Sequence, residues 1–117
     1  MKERGEVLVI DDDDNFRAIL GEVLKAEGCT VREAHNGEEG LQMARAHAPD
    51  LILTDLMMPT MTGWDLYAEL GRSERLSRVP VAVVSGVARS LPRGILALSK
   101  PLELSELLAL LESILPA

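Results

Sequence analysis

A chain of 117 residues holds one domain with a single core, residues 1–117, and leaves no room for a sensor or DNA-binding module, so it is expected to act alone or as a piece of a larger protein. Nineteen acidic residues against twelve basic ones give a net charge of −7, and with no basic cluster and only 3% aromatics, direct nucleic-acid binding is not expected. The lone Cys29 cannot form an internal disulfide, residues 1–6 lack the apolar core of a signal peptide, and no apolar stretch approaches the ~20 residues of a membrane helix, so a reducing cytoplasm is the expected setting.

Val7–Ile10 is a short apolar run that reads as a buried strand, stopped by Asp11, Asp12, Asp13 and Asp14. The acidic run can cap a helix with Phe16, Ile19, Leu20, Val23 and Leu24 at helical spacing, and Gly28 ends it. A weaker strand, Thr30–Ala34, leads to His35-Asn36-Gly37, where Asn36 can cap a second helix and Glu39 can reach back in a capping box. Pro49 closes that helix before the strand Leu51–Thr54, which ends in Asp55. The loop Leu56–Met61 runs to Thr62-Gly63-Trp64-Asp65, a second capping-box spacing, and then to a helix with Trp64, Tyr67 and Leu70 on one side. Val81–Val84 ends in Ser85, and Ile95–Leu98 is followed by Ser99-Lys100-Pro101. The last helix, from about Glu103, carries Leu104, Leu107, Leu108, Leu111 and Leu115 on one stripe. Only Gly86–Gly94 connects the last two strands, whereas a crossover with its helix normally takes at least ~10 to 12 residues. With Pro92 and Gly94 both poor helix formers, the fourth helix is expected to be short or missing.

The predicted fold class is therefore α/β, a doubly wound, five-stranded parallel sheet of flavodoxin-like (βα)5 order. Strands of such a sheet end on one common edge, where ligands bind. That edge would collect Asp11, Asp12, Asp55, Ser85 and Lys100. Clustered carboxylates repel one another unless a divalent cation neutralises them, and a lone lysine beside them suits a further anion such as phosphate. The residues read as a metal-assisted phosphoryl-handling site.

With these residues placed, the chain resembles the receiver domain of two-component response regulators, the CheY-like family, over nearly its whole length. Asp11-Asp12-Asp13-Asp14-Asn15-Phe16-Arg17 resembles the family's acidic-pocket segment, and Asp55-Leu-Met-Met-Pro59-Thr-Met-Thr-Gly63 its phosphoacceptor loop. Ser85-Gly86 and Lys100-Pro101 complete the set, each at a strand end. The resemblance implies that Asp55 takes a phosphoryl group from a phosphohistidine as an acyl phosphate. It implies Mg²⁺ held by Asp12 directly, by Asp11 through water, and by Asp55 and the Met57 backbone carbonyl, a set of oxygen donors suited to a hard cation. Lys100, aimed inward by a cis peptide to Pro101, would neutralise a phosphoryl oxygen, Ser85 would hydrogen-bond one, and Gly86 would leave space for the group. Asp13 and Asp14 are read as helix caps.

The implied partners are a histidine kinase or histidine phosphotransfer protein, docking around the first helix, with Phe16, Arg17 and Ala18 as candidates, and the loop after the fifth strand, and a downstream protein target, with the receiver a monomer or weak dimer. The chain would promote only its own phosphotransfer and slow dephosphorylation, so it is not expected to be an enzyme. Two departures from the family pattern stand out. Ala97 occupies the position of the aromatic, three residues before the lysine, that couples phosphorylation to the outer strands. Met57 and Val87, which flank the path of hydrolytic water, offer no acid or amide to orient it, so slow self-dephosphorylation is expected.

Other readings fit the residues less well. In a haloacid-dehalogenase-type phosphatase Asp11 and Asp13 would be the aspartyl pair, but Asp14 and Asn15 stand where a hydroxyl or small apolar residue is needed. An EF-hand built on Asp11, Asp13, Asn15 and Glu22 has Phe16 where the turn needs glycine. A dinucleotide site would want Gly-x-Gly-x-x-Gly where four aspartates stand. The main rival is a phosphorylation-independent pseudo-receiver, a binding module that commonly lacks one of the residues Asp11, Asp12, Asp55 and Lys100, all of which are present.

Overall fold

The computed structural model describes residues 4–88, 91 and 95–116. The elements run β1 (Gly5–Ile10), α1 (Asp14–Ala26), β2 (Cys29–Ala34), α2 (Gly37–Ala46), β3 (Leu51–Asp55), α3 (Gly63–Gly71), a single 3-10 turn at Leu76–Arg78, β4 (Val81–Ser85), β5 (Leu96–Ser99) and α4 (Leu104–Ile114). The five strands form one parallel sheet in the order β2-β1-β3-β4-β5. This is the expected doubly wound α/β fold. β5 lies one residue later than the apolar run, because Ser99 pairs with Ser85 while Ile95 precedes the ladder.

Strand residues alternate between two cores. Val7, Val9, Leu51, Leu53, Val84 and Leu98 face α1 and α4, packing on Leu20, Leu24, Leu107 and Leu111. Leu8, Ile10 and Ile52 face the other way, onto Leu41, Ala44, Leu66 and Leu70 of α2 and α3. Both faces of the central strands are covered, which is why they read as continuous apolar runs.

Helix faces are narrower than helical spacing alone implied. In α1 the buried positions are Leu20, Gly21 and Leu24, and Ile19 is 60% exposed. In α3 they are Gly63, Leu66 and Leu70, leaving Trp64 and Tyr67 exposed. In α4 Leu107 and Leu111 are buried and Leu104 is exposed. Thr62 and Asp65 form the expected capping box. At α2 the Asn36 side chain accepts from the Glu39 N–H, but the Glu39 carboxylate accepts from the N–H of His35, one residue before the cap.

Among the described residues of the β4–β5 crossover there is no α-helix: Gly86 and Val87 turn, and a hydrogen bond from the Leu91 N–H to the Ala88 carbonyl follows. Pro92 and Gly94, which carried part of that expectation, lie outside the described residues.

Candidate functional site

Parallel pairing in register brings the strand ends together. Ile10 pairs with Thr54, Asp55 with Val84 and Ser85 with Ser99, so Asp11, Asp55, Ser85 and Lys100 emerge along one edge. The ladder continues one residue past the strands to hold two of them there. The Asp11 N–H donates to the Ala34 carbonyl and the Lys100 N–H to the Ser85 carbonyl, both at 3.1 Å.

The acidic run divides its labour. Asp13 caps α1, accepting from the N–H groups of Asn15 and Phe16, and Asp14 opens the first turn, where a negative charge meets the positive end of the helix dipole. Asp11 is 2% exposed, accepts from the Asp13 N–H at 2.8 Å and points into the cluster, while Asp12 stands exposed at its mouth. Carboxylate oxygens of Asp11, Asp12 and Asp55 lie within 4.8 Å of one another. Three hard oxygen donors at that separation suit a divalent cation with water completing its shell.

Lys100 is the counter-charge. Its Nζ donates to Asp11 Oδ2 at 2.8 Å and lies 3.7 Å from Asp55 Oδ1 and 4.4 Å from the centroid of the Phe16 ring. The Lys100–Pro101 peptide is cis, as the resemblance implied. Burial raises the pKa of Asp55 and the charge of Asp11 raises it further, while Lys100 and the N–H groups of Met57 and Leu56 pull the other way. Burial alone would lower the pKa of Lys100, but its hydrogen bond to Asp11 and the charges of Asp11, Asp55 and Asp13 raise it overall, so it stays an ammonium.

The acceptor loop is shaped by three local devices. Thr54, fully buried, donates its hydroxyl to the Asp55 carbonyl at 3.0 Å. Gly63 donates to the Leu56 carbonyl, and a Cβ there would come to 2.7 Å from the Asp55 carbonyl oxygen, so only glycine lets α3 start this close to the loop. Thr60 carries φ 72°, an uncommon conformation for a β-branched residue. Ser85 is buried and accepts from the Val87 N–H at 3.1 Å, leaving its own hydroxyl hydrogen free to turn. A Cβ on Gly86 would meet nothing within 4 Å, so the space beside Ser85 is open.

Met57 and Val87 stand at the site with apolar side chains 72% and 52% exposed. The expected docking residues differ in exposure. The Arg17 side chain is mostly buried, donating to the Asp11 carbonyl at 2.7 Å, Asp14 Oδ1 at 2.7 Å and Glu33 Oε1 at 3.0 Å. Phe16 is half-buried, and Ala18 is exposed beside Ile19, whose apolar character had placed it in the core stripe.

The response regulator receiver domain family matches residues 7–112. The chain belongs to this family. The receiver is 40% identical over 87 residues to a sensor histidine kinase, CheAY, of Helicobacter pylori, and 38% identical over 86 residues to a gliding motility regulatory protein of Myxococcus xanthus. These matches cover 72% and 74% of the receiver but 11% of each relative, so it corresponds to one small part of either protein. It is also similar to the solved structure of chemotaxis protein CheY4 of Vibrio cholerae, with a TM-score of 0.83, 26% identity, and coverage of 94% of this chain and 98% of that one. Among the described residues of the receiver no helix is long and apolar enough to cross a membrane.

Proposed function

We propose that this receiver accepts a phosphoryl group on Asp55 from the phosphohistidine of a histidine kinase or phosphotransfer protein, in a Mg²⁺-dependent reaction, and signals by protein–protein contact. The observation that carries the reading is the convergence of Asp11, Asp12 and Asp55 with the Lys100 ammonium between Asp11 and Asp55. In the transfer an Asp55 carboxylate oxygen bonds to phosphorus as the P–N bond breaks, and the imidazole leaves with that electron pair. Burial and the charge of Asp11 raise the pKa of Asp55, and the Lys100 ammonium beside it favours the carboxylate that attacks phosphorus.

Asp12, Asp11, Asp55 and the Met57 carbonyl would hold the cation, which when bound offsets charge on the phosphoryl oxygens. Lys100 neutralises one phosphoryl oxygen, and the Ser85 hydroxyl donates to another from its buried position. Little else is required, since phosphoryl transfer is served mainly by positioning and charge. On this reading the chain is not an enzyme towards other molecules. It works in the cytoplasm as a monomer or weak dimer, and Met57 and Val87 make its acyl phosphate long-lived.

Mass spectrometry after incubation with acetyl phosphate and Mg²⁺ tests this against Asp55→Asn. One phosphoryl adduct that needs Mg²⁺ and is absent from the mutant supports it. No adduct on a folded wild-type chain, even with a kinase, overturns it in favour of a phosphorylation-independent binding module.

A further inference from the structure

The first turn of α1 reaches the site through a residue outside the cluster of carboxylates. The ring of Phe16 lies under the Lys100 ammonium at 4.4 Å, a distance at which the negative face of an aromatic quadrupole attracts a cation. The ring is held in turn: the Phe16 N–H donates to the capping carboxylate of Asp13 at 3.1 Å, and the side chain packs against the core cluster that contains Leu20 and Leu98.

Lys100 thus faces Asp11 at 2.8 Å, Asp55 at 3.7 Å and the ring, all three of electrostatic character opposite to its own. Two of these carboxylates belong to the cluster that suits a divalent cation. A metal cation there draws on the charge of Asp11 and repels the ammonium, whose flexible four-carbon stem could otherwise carry it towards solvent. Of these three, the ring alone neither offers a metal ligand nor changes charge on phosphorylation.

We propose that Phe16 is a positioning residue for phosphoryl transfer: the face of its ring is the seat that keeps the Lys100 ammonium in the pocket once a metal cation engages Asp11. The proposal rests on the phosphoacceptor reading of Asp55. It also gives the first turn of α1 a double hold on the site, with Arg17 bonded to the Asp11 carbonyl on the acidic side and Phe16 beneath the ammonium on the cationic side.

The test combines NMR of the Lys100 side chain with phosphorylation kinetics on Phe16→Leu and Phe16→Tyr. In the wild type the Lys100 ε-methylene protons should show an upfield ring-current shift that persists on saturation with Mg²⁺. Phe16→Leu, which keeps an apolar side chain but no ring, should lose that shift. It should also slow phosphorylation by acetyl phosphate by roughly threefold to tenfold, with the Mg²⁺ dissociation constant within about twofold of wild type. Phe16→Tyr, which restores the ring at this half-buried position, should recover both shift and rate. A ring-current shift that vanishes on adding Mg²⁺ overturns the proposal, as do a Leu variant as fast as wild type or Leu and Tyr variants slowed alike. If the wild type takes up no phosphoryl group the failure lies with the phosphoacceptor reading, and the Mg²⁺-saturated shift alone then decides whether the seat exists.

Discussion

The two halves of the sheet edge are built to different standards. On the β1–β3 side the buried groups are bonded into place: Asp11 to Lys100 and the Asp13 N–H, Arg17 to three acceptors, and the acceptor-loop backbone to the Thr54 hydroxyl and the Gly63 N–H. On the β4–β5 flank, Ala97 replaces the aromatic of the family pattern, and a groove of about 430 Å³ opens between α3 and the outer strands, lined by Trp64, Tyr67, Leu70, Val83 and Leu96 among others. The contrast places the charged site where a small displacement is costly and leaves an open groove on the opposite flank.

The largest effect that would sharpen this contrast is expected from Lys100→Met. It leaves Asp11, 2% exposed, without its cation, and should cost about 3 kcal/mol in urea denaturation without metal. Saturating Mg²⁺ should return part of that loss. Gly63→Ala, which would drive a Cβ against the backbone of Asp55 and Leu56, should cost about 2 kcal/mol by the same measurement. Met57→Asn tests the water path: the half-life of the acyl phosphate, followed by loss of adduct mass, should fall at least roughly tenfold, and a half-life that barely moves would break the account in which Met57 leaves the hydrolytic water unoriented.

A smaller effect, readable in its sign, comes from Asp55→Asn. The folded chain holds the Asp55 pKa above its unfolded value, so the ionised carboxylate destabilises the metal-free fold above the folded pKa, and that cost is relieved as pH falls through it. The mutant should therefore be more stable than wild type at pH 7 without metal, with the gap closing towards acid in denaturation series. Last, Tyr67→Ala on the open flank should change stability by no more than ~0.5 kcal/mol. A large loss there would mean the flank is as tightly built as the acidic side.

Legibility in the sequence followed the same division. The strands could be read because apolar runs stop abruptly at Asp11, Asp55 and Ser85, and parallel pairing does the rest. The exposed faces could not be read as well. Ile19, Trp64 and Tyr67 sit at spacings that fit a core stripe, yet neighbouring columns of a helix share that spacing, and here Gly21 and Leu66 hold the buried positions. Contacts between distant residues left no local trace: Arg17 with Glu33, and Phe16 with Lys100, are brought together only by the packing of α1 against the sheet.

The three hydrogen bonds of Arg17 have a consequence for recognition. Two of them tie the start of α1 to the end of β1 and to β2, so the helix cannot shift as a unit without breaking charge-assisted bonds from the mostly buried Arg17 side chain. A protein that docks over Ala18 and Ile19 therefore meets a surface already in its final shape. The encounter requires little ordering of this partner, and complementarity must come from the visiting protein.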